Sequence, residues 1–114
     1  MPTAKKPRAK RYPPIPTSLD LPGGPVPVTV CSRKEMEKWA DPGEELWGYF
    51  HEGERRISVL GTLSREAQHR VLWHEWTHAM LQDSGLANGL NHELEEALCD
   101  AVSSALMRVI HHKG

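Results

Sequence analysis

His74, Glu75 and His78 stand in the run VLWHEWTHAM, residues 71–80. Two imidazoles four residues apart project from the same side of an α-helix, one turn from each other, and can share a metal ion. Glu75 lies about 100° round the helix from His74, beside such an ion rather than on it, where a carboxylate can act as a general base. Leu72, Trp73, Trp76, Ala79 and Met80 cluster away from the histidines, so one helix would carry both a packing face and a polar face. A zinc ion in a hydrolase takes three protein ligands and keeps one position for water. The third ligand must therefore come from another part of the chain.

The acidic run NHELEEALCD starts 13 residues after His78 and offers His92, Glu93, Glu95, Glu96 and Asp100. Drawn as a helix, it puts Glu93, Glu96 and Asp100 on the polar arc, while Glu95 falls inside the apolar arc. Glu96 and Asp100 form an i, i+4 pair. One could bind the ion while the other accepts a hydrogen bond from the outer nitrogen of a ligand imidazole, setting its tautomer. A solvated acidic first turn, favoured by the helix dipole, would account for Glu93 and Glu95. It accounts poorly for Asp100, a weak helix former two turns in.

The elements needed to position these residues can be read from patterning. VPVTV puts Val26, Val28 and Val30 on one face of a strand, and Pro27 argues for an edge or strand-start position. Ser32 and Glu35 form a capping box for a short helix through Met36 and Trp39, which DPGEE at 41–45 ends. Leu46–Phe50 and Arg56–Leu60 are two β-prone runs joined around Gly53, as in a hairpin. Ser64 caps the helix that carries the motif, with Glu66 in its first turn, and this helix runs to about Gln82. After a glycine-bearing loop, Asn91 caps a last helix from near His92 to about His111. Leu94, Leu98, Ala101, Val102, Ala105 and Val109 form its apolar repeat. These elements predict an α+β fold with a small three-stranded sheet.

With 114 residues, the chain has room for one small core. Residues 1–25 hold seven of the nine prolines and few apolar groups, which predicts a disordered or extended leader before a folded domain over 26–114. Lys5, Lys6, Arg8, Lys10 and Arg11 make this leader basic, whereas the body is acidic. Five cations are a small footprint for phosphate-driven affinity, so nucleic acid is expected to bind weakly if at all. No run reaches the roughly 18 apolar residues that span a bilayer, and no apolar secretory segment opens the chain. The expected location is the cytoplasm, with Cys31 and Cys99 as free thiols.

HEWTH followed by EALCD resembles the gluzincin metallopeptidase pattern, His-Glu-x-x-His and then Glu-x-x-x-Asp. The short spacing and the small CDAVSSAL tail look most like the ImmA/IrrE-type peptidases of phages and mobile elements, and the compact minigluzincins. The resemblance covers about residues 26–108 in element order. It implies a minimal zincin-like domain in which His74, His78 and Glu96 bind zinc, Glu75 is the base and Asp100 backs a ligand imidazole. Thr77 stands where the ImmA/IrrE motif usually has glycine. Beyond Glu96 lie only Arg108, His111 and His112, so His92 and His69 are the candidates to steady an oxyanion.

The expected activity is zinc-dependent endopeptidase hydrolysis of a polypeptide substrate. Glu75 would take a proton from a zinc-activated water and return it to the leaving amine. Arg56–Leu60 could hold an extended substrate as an added strand. The alternative is a zincin-fold binding module that keeps zinc for stability and acts on a regulator or nucleic acid through the basic leader.

Overall fold

The computed structural model describes residues 12–111; the basic cluster Lys5–Arg11 lies outside them. Ser32 and Ser64 start two helices as the sequence predicts. Ser32 Oγ accepts from the Glu35 N–H at 3.1 Å, and Glu35 Oε1 accepts from the Ser32 N–H at 2.8 Å, a complete capping box. Ser64 Oγ accepts from the Ala67 N–H at 3.1 Å. The elements are β1 (Ser18–Leu21), β2 (Gly24–Cys31), α1 (Arg33–Glu37), β3 (Gly48–His51), β4 (Arg56–Leu60), α2 (Arg65–Asp83), a 3-10 turn at Leu86–Gly89, and α3 (His92–His111). The fold is α+β, with a four-stranded mixed sheet and three helices. No helix among the described residues is long and apolar enough to cross a membrane.

The sheet has four strands, not three, in the order β1-β2-β4-β3. The extra strand comes from the segment expected to be disordered or extended. β1 pairs antiparallel with β2 through Leu21↔Gly24, and Gly24 at φ +117° makes the tight reversal. Ile15 and Leu21 are buried in the core beside Val26, so this stretch buries more apolar surface than its proline content suggests. The prolines fit because of direction. Val28 N–H donates to Thr17 O on the β1 side at 2.8 Å, so position 27 points its nitrogen the other way. On that side β4 pairs only from Val28 onward, and Pro27 forfeits no ladder bond. β2 is thus an inner strand whose two halves are each paired on one side.

β4 lies between β2, parallel to it, and β3, antiparallel to it. Its hydrogen-bonding groups serve both neighbours, so Arg56–Leu60 cannot take up a substrate as an added strand. The free edge beside it is that of β3. α2 covers one face of the sheet, where Val26, Val28, Ile57 and Val59 meet Leu72 and Ala79, with Trp76 and Met80 at the margin. On the other face Cys31 and Leu60 pack against Met36 of α1, with Trp39, Leu46 and Leu63 around them. Val30 shares the α2 side but is half exposed.

Arg55, with φ +49°, makes the left-handed turn between β3 and β4; Gly53 does not. Its guanidinium pairs with Asp83 at the end of α2 and donates to Gly24 O at 2.8 Å, tying this hairpin to the β1–β2 hairpin. The facing of α3 also departs from the sequence reading. Leu94, Leu98 and Val109 are exposed, whereas Cys99, Ser103 and Met107 are buried. The helix turns a more polar side inward, for a reason found at the site.

Candidate metal centre

α2 presents His74 and His78 one turn apart, with ring centroids separated by 5.0 Å. The chain leaves α2 through Gly85, at φ +79°, and re-enters helix at α3, where Asn91 Oδ1 accepts from the Leu94 N–H at 2.8 Å. Contacts between the two helices run in opposite senses. His74 meets Asp100 and Glu96, while His78, further along α2, meets Glu96 and Glu95.

Each imidazole is held at both nitrogens. His74 Nδ1 lies 2.9 Å from Asp100 Oδ1, and its Nε2 lies 3.2 Å from Glu96 Oε1. His78 Nδ1 lies 2.5 Å from Glu95 Oε2, and its Nε2 lies 2.8 Å from Glu96 Oε2. Glu96 therefore spans the two Nε2 atoms, while Asp100 and Glu95 hold the two Nδ1 atoms from behind. The structure brings together His74, His78, Glu96 and Asp100, as the sequence predicts, and adds Glu95. The helical wheel assigned Glu95 to the apolar arc because it took Leu94 and Leu98 as the packing side. With those leucines exposed, Glu95 and Glu96 face α2 instead.

Cys99 is the second addition. It is fully buried, and its sulfur and the two imidazoles offer donor atoms all within 4.8 Å of one another, a group that could hold a metal ion. Burial, then the charges of Glu96, Glu95, Glu75 and Asp100, pushes its thiol pKa up to about 12. The signal was present in the sequence, since a residue three after Glu96 shares its helix face.

Two imidazoles and a thiol are donors that suit a borderline to soft cation. An ion bound by an imidazole nitrogen and a carboxylate oxygen in tetrahedral array would space them by about 3.4 Å. The Nε2–oxygen distances to Glu96, 3.2 Å from His74 and 2.8 Å from His78, are direct contacts shorter than that spacing, so the carboxylate would draw back to admit an ion.

Glu75 packs under β3. A Cβ on Gly48 would come within 3.3 Å of Glu75 Oε2 and 2.3 Å of Val71 Cγ1, so only glycine permits this close approach. Burial raises the Glu75 pKa, against the opposing pull of His78 and His74 and a hydrogen bond from the Phe50 N–H. A cavity of about 620 Å³ opens over His74, Glu75 and His78 between Gly48–Phe50 and Gln82, and another of about 390 Å³ lies towards Trp47 and Asp100.

The two histidines proposed for oxyanion contact separate. His92 lines the larger cavity. His69 is buried, with Nε2 2.7 Å from Pro13 O and its ring beside Tyr12, and serves the N-terminal segment instead. Thr77 is buried as well, its hydroxyl donating to Trp73 O at 2.8 Å.

No family model matches the chain, and neither a curated protein nor a solved structure is significantly similar to it.

Proposed function

We propose that this protein is a zinc metallopeptidase of the gluzincin type, with His74, His78 and Glu96 as ligands and Glu75 as general base. The observation that carries the reading is the directed pairing of the imidazoles. Both Nε2 atoms converge on one carboxylate, and both Nδ1 atoms are held by others. Carboxylates behind ligand imidazoles fix tautomer and orientation and raise ligand basicity.

When bound, zinc supplies Lewis acidity that makes water nucleophilic near neutral pH and polarises a carbonyl. Glu75, next to the ligands and raised in pKa by burial, accepts the proton of the attacking water and delivers it to the leaving amine. The β3 edge, whose Gly48–Phe50 stretch bounds the larger cavity, offers an extended peptide its backbone groups other than the Phe50 N–H, which Glu75 holds. His92 reaches the same cavity and is the candidate to steady the oxyanion.

Metal analysis of the purified chain tests the ligand assignment. The wild type should carry about one zinc per chain, and His78→Ala should carry much less. Equal zinc in both proteins would remove the basis of the reading.

A further inference from the structure

We propose that Cys99 is a fourth donor of the centre, a thiolate that binds the same ion as His74, His78 and Glu96 from the buried side. The inference rests on the reading that the histidine pair holds zinc, and it adds a ligand which that reading does not use.

Position is the first argument. The Cys99 sulfur and one nitrogen of each imidazole lie within 4.8 Å of one another, and a tetrahedral zinc would space nitrogen and sulfur by about 3.6 Å. Cys99 and Glu96 share one face of α3 three residues apart, but Cys99 is fully buried while the Glu96 side chain is 38% exposed. The two therefore approach the histidines from different depths, one from the core and one from solvent, and need not compete for the same place.

Chemistry is the second argument. Thiolate is among the preferred ligands of zinc, and of borderline and soft cations generally. The other cysteine provides the contrast. Cys31 packs with Met36 and Leu60 on the far face of the sheet, its thiol near Thr29 O at 3.9 Å, in ordinary apolar surroundings. Cys99 instead sits beside the two imidazoles.

On ligation the S–H bond breaks, the proton leaves to solvent and a sulfur lone pair enters the bond to the ion. Four protein donors fill a tetrahedral shell and leave no position for water. The centre then rests closed, and hydrolysis requires Cys99 or Glu96 to withdraw. Cys99 is in this view a restraint on the activity as well as a contribution to metal affinity.

Cobalt(II) substitution of the full chain tests this directly. The cobalt-loaded wild type should show an intense near-ultraviolet sulfur-to-cobalt charge-transfer band beside visible tetrahedral d–d bands. Cys99→Ser should lose the charge-transfer band and keep the d–d bands, and Cys31→Ser should keep both. Zinc affinity of Cys99→Ser should fall by at least about tenfold, and its peptide hydrolysis should rise. A wild type with d–d bands but no charge-transfer band would overturn the role of Cys99 and leave the metal reading standing. A wild type that binds no cobalt would overturn both. The wild-type spectrum decides the point even if the serine variant fails to fold.

Discussion

Asp100 Oδ1 lies 2.9 Å from His74 Nδ1, and this contact turns the opposite nitrogen of the ring toward Glu96. The same relation holds for Glu95 and His78. Carboxylates behind metal-binding imidazoles typically contribute 10- to 100-fold to affinity. Asp100→Ala and Glu95→Gln should each weaken zinc binding by roughly that factor, measured by competition with a chromophoric chelator. Unchanged affinity in both would mean that the rings are set by packing alone.

Gly48 predicts a steric effect. An added methyl would meet Val71 Cγ1 at 2.3 Å and the Glu75 side chain at 3.1 Å. Gly48→Ala should destabilise the fold by about 1–3 kcal/mol, as overpacking does, and lower the denaturation midpoint in urea. Because β3 would be lifted from Glu75, peptide hydrolysis should fall more than the loss of folded protein explains. An unaltered midpoint would show that β3 has room to spare.

His51 predicts a pH dependence on the opposite face of the sheet. It is buried against Ser58, with Nε2 2.9 Å from the hydroxyl, and Trp39 and Tyr49 pack on its ring. Burial, then the charge of Arg56, lowers its pKa below 6.5, with Glu54 opposing weakly. The unfolded chain takes up the proton first as pH falls, so this contribution is whole above about pH 6.5 and is lost between there and the lower folded value. The melting temperature of the wild type should drop more between about pH 7.5 and 5 than that of His51→Gln. Parallel curves would remove His51 as the cause. Histidines shared by both proteins cancel in the comparison.

The motif helix was legible in the sequence because its signals are local: a serine cap, two histidines at one-turn spacing and a separate apolar side. Glu96 and Asp100 were legible for the same reason, one helix later. What was not legible depended on partners. The facing of α3 is set by the polar side of α2. His74 and His78 pair with Glu95, Glu96 and the exposed Asp100, which turns that side of α3 to α2 and leaves Leu94, Leu98 and Val109 outside against the order of hydrophobicity. Glu95 could be placed only with that rotation, whereas Cys99 follows from the position of Glu96 three residues before it. β1 was hidden by the prolines around it, since a count of prolines does not tell which nitrogens face an empty side of the sheet. The free strand edge followed from sheet order, which adjacency in sequence does not dictate.

The central claim is that Glu75 moves the proton in a zinc-dependent hydrolysis, and one variant isolates it. Glu75→Gln keeps the size and nearly all the contacts of the side chain but removes its basicity. Zinc content and cleavage of an unstructured peptide pool would be measured on the same preparation as the wild type. The account predicts equal zinc and a loss of cleavage of at least about 100-fold, the usual worth of a general base. Equal zinc with equal cleavage would contradict it.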